Sequence, residues 1–421
     1  MFERMARILR RYDFARRIYR LLKGIDSTYS VSQTTPINIR RSKHEFKRLN
    51  LVIPSINREH FFGGASTALN LFETLVDIGG EDVRSRIILT DAAPEKRDHE
   101  RFPKYCLVDA EKDSDERHQM LSAVNKFQRN IYVCPEDRFL TTSWWTAYCV
   151  IESVKKQISM YGESCNRMGY LIQDYEPGFY NWSTHYAMAE STYRADINTI
   201  PIFNSLFLET FFKDRGYLFE RKYSFEPRLN SALREKMISV GQSSRDKKIL
   251  VYGRPSVSRN CFTLIVEALK IWVETQSDPI EWEVISVGES HRPVPLGKGV
   301  FIQPLGKLSL EGYAELLSQS AIGISLMISP HPSYPPLEMS HFGILTLTNS
   351  FANKDLSGYH DNITSLSHLT PRTLSHALQT QVDRFSKNPQ AGTQGKSMMA
   401  AYMSDTEMFP FKNELYRSLF D

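Results

Sequence analysis

Residues Ser329–Asn349 read SPHPSYPPLEMSHFGILTLTN. An apolar run, Ile322–Met327, leads into this stretch, and a second, Ile344–Leu347, leaves it; both read as buried strands. Between them stand Pro330, Pro332, Pro335 and Pro336, which neither a strand nor a helix interior accommodates. The spacing therefore predicts a rigid, exposed loop and then a short helix, Leu337–Phe342, stopped by Gly343. One acid, Glu338, stands where that helix begins. In an open α/β sheet, ligands bind at the loops that follow the carboxyl ends of the strands. A carboxylate held there can accept hydrogen bonds from two ribose hydroxyls. The competing reading is a first-turn acid that does no more than favour the helix dipole.

The same alternation extends outward on both sides. Lys248–Tyr252, Glu283–Gly288 and Val300–Ile302 read as strands, and Phe262–Trp272 and Leu310–Ser318 as helices. Downstream come the strand-like Ile363–Leu366 and a helix, Thr373–Phe385. Arg254 and Arg259 lie in the first strand–helix turn of this series. Two guanidiniums beside a helix N-terminus suit a diphosphate. An earlier series begins with the strand Leu49–Pro54, after which Gly63-Gly64 opens an apolar helix, Ala65–Ile78. A strand, a glycine turn and a helix start form an anion-binding element, although a lone Gly-Gly is weak evidence. Strands are also predicted at Ser85–Thr90, Tyr105–Val108, Asn130–Val133, Phe139–Thr142, Tyr170–Glu176 and Ile200–Ser205. The exit of Tyr170–Glu176 gathers Asp174, Tyr175, Glu176, Tyr180, Trp182 and His185. Aromatic faces and short carboxylates together suit a sugar-binding cleft; a packed aromatic corner with surface acids is the alternative.

Two βα series joined by a polar stretch predict a two-domain α/β protein with a central cleft. The expected divisions are 1–45, 46–216, a linker over 217–245, 246–395, and a C-terminal helix within 396–421 that crosses back to the first domain. Net charge is +4 over 421 residues. Residues 1–24 hold eight Arg or Lys against two acids, so the rest of the chain is slightly acidic, which argues against a nucleic-acid partner. In that segment Met5, Ile8, Leu9, Tyr12, Ala15, Tyr19 and Leu22 follow helical spacing, with arginines on the other face. Such a helix lies on an anionic membrane surface, or it is solvated and packs on its own protein. The five cysteines are odd in number and form no CxxC pair, which disfavours a zinc site or disulfide framework and fits a reducing, cytoplasmic setting. No apolar run is long enough to span a bilayer. Asp113-Ser114-Asp115 has the spacing that holds divalent cations in some sugar transferases, yet in EKDSDERHQ it reads as a solvated helix start.

In its order of elements the chain resembles the GT-B glycosyltransferases of glycosyltransferase family 4. The second half of that family's acidic signature stands here as Pro335-Pro336-Leu337-Glu338, followed by Met339 and His341-Phe342-Gly343. The first acid is replaced by Pro330, and the lysine expected after Gly253-Arg254 is matched only approximately by Arg259. YLIQDYEPGFYNWSTHYAMAESTY, together with SYPPLEM, is similar to a narrower group: bacterial rhamnosyltransferases that use dTDP-β-L-rhamnose to extend surface rhamnans. The resemblance implies two Rossmann-like domains facing a cleft and retaining, metal-independent transfer with no cofactor. Residues 46–216 would bind the glycan or lipid-linked glycan acceptor, and 246–395 the nucleotide-sugar donor. Glu338 and Lys307 would hold the nucleotide, and Arg254 and Arg259 the diphosphate, approached by Gly63 and Gly64. His331 would face the donor sugar, or is merely a loop histidine. Tyr175, Tyr180 and Trp182 would bind the acceptor, with Asp174 or Glu176 as base or orienting group. Two other readings share the fold: a nucleotide-sugar epimerase, and a non-catalytic glycan-binding protein, for which the missing acid argues.

Overall fold

The computed structural model describes residues 34–57, 63–124, 130–240 and 245–421. The basic helix expected within residues 1–24 lies outside the described residues. The strands are β1 (Asn38–Arg41), β2 (Lys47–Ile53), β3 (Val83–Leu89), β4 (Cys106–Leu107), β5 (His118–Ser122), β6 (Asn130–Val133), β7 (Asp137–Thr141), β8 (Met168–Ile172), β9 (Thr199–Phe203), β10 (Tyr223–Ser224), β11 (Asp246–Gly253), β12 (Glu283–Gly288), β13 (Val294–Gly297), β14 (Val300–Gly306), β15 (Ser320–Ile324), β16 (Leu345–Asn349) and β17 (Ile363–Leu366). The helices are α1 (Gly63–Gly79), α2 (Lys96–His99), α3 (Trp144–Tyr161), α4 (Thr184–Ser191), α5 (Leu206–Asp214), α6 (Ser231–Val240), α7 (Phe262–Thr275), α8 (Leu310–Gln319), α9 (Tyr334–His341), α10 (Pro371–Lys387) and α11 (Lys412–Phe420). Eight strands form one sheet in the order β10-β9-β8-β7-β2-β3-β5-β4, and seven form another in the order β13-β14-β12-β11-β15-β16-β17. β1 pairs with β6 apart from these.

The described chain divides into two compact units. One holds the residues up to Tyr170, with Trp182–Thr199 and Phe420; the other holds Leu171–Asn181, Ile200–Leu419 and Asp421. In the first unit, α1 buries Ala68, Leu71, Phe72, Leu75 and Val76, the stripe expected of an amphipathic helix on a sheet. Its sheet carries a buried ion cluster. Asp137, at the start of β7, accepts from Arg48 Nε at 2.6 Å and Nη2 at 2.8 Å, and from Asn50 Nδ2 at 2.8 Å. Arg86 Nη2 lies 3.8 Å from the same carboxylate. Burial opposes the Asp137 charge, but the two arginines hold its carboxyl below the usual range.

The second unit's sheet is parallel except for the antiparallel β13–β14 pair. A parallel sheet is covered on both faces, so its strands are apolar on both sides. β11 shows the alternation: Ile249 and Val251 enter a core formed with α7 and α10, whereas Leu250 enters a core formed with α6, α8 and α9. α7 buries Ile265, Val266, Ala268, Leu269, Trp272 and Val273, a helical repeat. Residues 217–245, expected as a linker, contain β10 and α6; β10 pairs with β9, and Leu233 of α6 joins the core. Within 396–421 the terminal helix is confined to Lys412–Phe420. No described helix is long and apolar enough to cross a membrane.

Candidate nucleotide-sugar site

From β11 the chain proceeds to β12 on one side, and β15 lies on the other, so the sheet order reverses between β11 and β15. Loops that leave the carboxyl ends of two such strands diverge and open a crevice. Here the two loops are 254–261 and 325–333. They are tied together by the Ile328 N–H, which donates to the Arg259 carbonyl at 2.8 Å, and by Asn260 Nδ2, which donates to the Leu326 carbonyl at 3.1 Å.

The β11 exit needs glycine. A Cβ on Gly253 would meet the Ser286 hydroxyl at 2.5 Å and the Phe262 ring at 2.7 Å. Gly288, at the end of β12, has φ +112, and a Cβ there would lie 3.1 Å from Arg254 Cγ. The side chain of Arg254 thus runs over a backbone stripped of side chains. The phenol of Tyr252, next along β11, is raised by burial and also feels Arg254, Glu338 and Arg259. Three residues expected at the donor site therefore converge around one phenol.

The second loop differs from its expected form. It is buried rather than exposed: Ser329, His331 and Ser333 are all nearly inaccessible. α9 also begins at Tyr334, ahead of Pro335 and Pro336, rather than at Leu337. Prolines are tolerated in a first helical turn because their missing N–H groups would have no intrahelical partner there. Ser333, just before the helix, has φ 68 and ψ 143, a conformation normally reserved for glycine. Its N–H donates to His331 Nδ1 at 3.0 Å. That bond leaves the His331 proton on Nε2, which is buried without a hydrogen-bond partner. Burial pushes the His331 pKa down to about 4, so the ring is neutral.

Glu338 is partly buried, and burial raises its pKa to about 7, against a hydrogen bond from the Tyr313 hydroxyl at 3.1 Å. Lys307 is exposed in the turn between β14 and α8. Asp174, expected as a base, is engaged on both oxygens. Its Oδ1 accepts from the Ser329 hydroxyl and from the Tyr175 N–H at 2.8 Å, and Oδ2 lies 3.8 Å from Arg259 Nε. The Arg259 guanidinium also stacks 3.9 Å from the centre of the Phe179 ring. Burial lowers the Arg259 pKa, with Asp174 opposing. Glu176 is buried beside these residues.

Tyr175 departs from its expected place at a sugar surface. It is buried, its ring packs edge-on against Phe211 and Phe212, and its hydroxyl pairs with that of Tyr217 at 3.1 Å. The packed-corner reading holds for this residue. Tyr180 is partly exposed. Trp182, in the first unit, is 95% exposed and lies against Tyr186. Gly63 and Gly64 form the first residues of α1, also in the first unit. Asp113 sits in a loop rather than at a helix start, and its carboxylate accepts from the Ser42 hydroxyl and the Lys43 N–H, both at 2.7 Å.

Sequence reasoning missed Lys354. It is fully buried, its Nζ donates to the Met327 carbonyl at 2.8 Å, and burial lowers its pKa to about 8. Asn349 brackets the same residue, accepting from the Met327 N–H at 2.7 Å and donating to its carbonyl at 3.1 Å. Nothing in the polar stretch around Lys354 signals burial. Tyr313 was missed as well, although a phenol among the apolar positions of α8 is a signal, because its hydroxyl requires a partner.

Residues 48–206 match the family "WsaF, N-terminal domain" and residues 247–379 match "WsaF, C-terminal domain", together more than half of the chain. The O-antigen biosynthesis protein RfbC of Myxococcus xanthus is 28% identical over 257 residues, 61% of this chain; the match spans only 19% of RfbC. TarM is similar in structure with a TM-score of 0.58 at 8% identity, covering 89% of this chain and 99% of TarM. Anabaena HepE, solved with UDP, has a TM-score of 0.55 at 11% identity and covers 89% and 99%. WaaG, a glycosyltransferase of lipopolysaccharide biosynthesis, has a TM-score of 0.53 at 12% identity and covers 88% and 99%. At these identities the structural likeness is one of fold: two Rossmann-like domains in the GT-B arrangement. The chain carries both WsaF domains on the GT-B fold and belongs to the WsaF family.

Proposed function

We propose that the protein is a retaining, metal-independent transferase that moves L-rhamnose from dTDP-β-L-rhamnose onto a growing bacterial surface glycan. The observation that carries the reading is the convergence of Arg254, Arg259 and Glu338 around Tyr252, at the point where the sheet order reverses. Two guanidiniums answer the charge that develops on a leaving diphosphate, and a carboxylate answers the 3′-hydroxyl, the one free hydroxyl on the deoxyribose of dTDP. Lys307 adds a cation on the nucleotide side. The neutral Nε2–H of His331 is a donor for a hydroxyl of the sugar. Pro330, in place of an acid, suits a 6-deoxy sugar that offers one hydroxyl fewer. The surface-glycan assignment draws on the likeness to RfbC, an O-antigen biosynthesis protein.

In the reaction the anomeric C–O bond to the diphosphate breaks, and a bond from the acceptor oxygen forms on the same face. The acceptor proton passes to the departing phosphate oxygen, so no side chain need act as base. Asp174, with both oxygens engaged, orients Arg259 rather than taking that proton. Glu176, Tyr180 and Trp182 are assigned to the acceptor, Gly63 and Gly64 to the diphosphate, and residues 1–24 to an anionic membrane surface on the cytoplasmic side. The test is release of dTDP from dTDP-β-L-rhamnose in the presence and absence of a rhamnan acceptor, with Arg254→Ala and Glu338→Ala alongside. Acceptor-dependent release, lost in both variants, is expected. Epimerisation without acceptor would replace the reading, and absence of turnover with any nucleotide sugar would favour a glycan-binding protein.

A further inference from the structure

The Glu338 carboxylate has no basic partner among the described residues; the hydrogen bond it accepts comes from the Tyr313 hydroxyl, 3.1 Å from Oε2. Four phenols feel its charge: Tyr313 from α8, Tyr252 from β11, Tyr334 from α9 itself, and Tyr402 from the turn Ala400–Met403. Three of them are not bonded to it. Tyr334 pairs with Asn204, Tyr252 is paired with Arg254, and the buried Tyr402 hydroxyl has no hydrogen-bond partner. His341, one turn along α9, directs Nδ1 to the Leu337 carbonyl and Nε2 to Ser397, both at 2.8 Å.

We propose that Tyr313 is a positioning residue: its hydroxyl fixes Oε2 of Glu338 and leaves Oε1 to accept a ribose hydroxyl of a nucleoside diphosphate. The inference rests on Glu338 being the ribose ligand. It has a consequence that packing alone does not. A hydrogen bond donated to the carboxylate favours the charged form, so the Tyr313 hydroxyl works against the burial that brings Glu338 to about 7. Without that hydroxyl the carboxyl protonates at higher pH, and a protonated carboxyl is the weaker acceptor.

The experiment is titration calorimetry of dTDP across the neutral range with wild type, Tyr313→Phe, Tyr402→Phe and Glu338→Gln. Wild-type affinity is expected to rise as pH climbs through about 7. In Tyr313→Phe this rise should move to higher pH, so that affinity is several-fold weaker near neutrality and recovers in base. Tyr402→Phe, which removes a phenol not bonded to Glu338, should titrate as wild type. A Tyr313→Phe profile that coincides with wild type overturns the proposal, as does an equal displacement in Tyr402→Phe. If Glu338→Gln retains wild-type affinity and pH dependence, the ribose reading itself fails and takes the Tyr313 role with it. If Glu338→Gln loses affinity while Tyr313→Phe does not shift, only the role of Tyr313 fails.

Discussion

Replacing Asp137 by Asn removes one negative charge from beside two buried arginines while preserving side-chain shape. Arg48 and Arg86 are both almost inaccessible, as is Asp137. The carboxylate receives two bonds from Arg48, one from Asn50 and one from the Cys134 N–H, and it is the counter-charge to Arg86. Removing one member of a buried ion pair costs about 3 to 5 kcal/mol, mainly because the remaining charge stays buried. A loss of about 4 kcal/mol is a large part of the roughly 5 to 15 kcal/mol of a typical domain. With a urea dependence of about 3 kcal/mol per molar, the midpoint for this unit should fall by a little over 1 M. Hydrogen exchange of the β2, β3 and β7 peptides in urea isolates the unit from the rest of the chain. Glu136→Gln is the control, since its side chain is 47% exposed and pairs loosely with Lys47 at 3.7 Å; it should change stability by less than about 0.5 kcal/mol. The sign of the pH dependence follows from the same carboxylate. Its folded pKa lies below the unfolded value of about 3.9, so its contribution is complete above that pH and is lost as pH falls through the folded value. Asp137→Asn should abolish that part of the acid sensitivity. A midpoint shift no larger than that of Glu136→Gln would refute the account of the cluster.

Arg259→Met should lower turnover by about 100- to 1000-fold, as for loss of a group that meets developing charge, and should weaken dTDP binding in calorimetry. Asp174→Asn should lower it much less, because it only loosens the hold on Arg259; equal losses in steady-state assays would argue against an orienting role. Ser333→Gly relieves a backbone conformation that costs roughly 1 to 3 kcal/mol, less about 0.5 to 1 kcal/mol for glycine's freedom when unfolded. A gain of about 1 kcal/mol is therefore expected in thermal denaturation, and a loss would count against strain at this residue. Removal of residues 1–24 should abolish salt-sensitive sedimentation with anionic liposomes; unchanged sedimentation would remove the membrane role.

The alternation of strand and helix was legible because parallel strands buried on both faces are written as apolar runs. Ile322–Ile324 and Leu345–Leu347 are examples on which the reading and the structure agree. The start of α9 was not legible. Two adjacent prolines signal a loop unless they occupy the first turn, and only the fold decides that they do. Burial of charge was equally silent. Arg48 and Arg86 look like solvated residues at strand starts, and Lys354 looks like loop polarity, because their partners lie far along the chain. Asp137 is 89 residues from Arg48, and Met327 is 27 from Lys354. Tyr175 was read by its neighbours in sequence, Asp174 and Glu176, whereas its surroundings are set by Phe211, Phe212 and Tyr217.

The prolines around Ser329–Pro336 also bear on the kinetics of ligand capture. Each fixes one backbone torsion before any ligand arrives, and the surrounding loop is already buried and bonded through Ser329, His331 and Lys354. Little chain ordering remains for a nucleotide to drive. Association at this loop should therefore be a single fast phase, without a slow closing step, and differences among nucleotides should appear in dissociation rates. The same stiffness limits adaptation. A loop that cannot reshape its backbone admits a new donor only by exchange of side chains, so a shift of specificity here should follow from point substitutions and not from insertions.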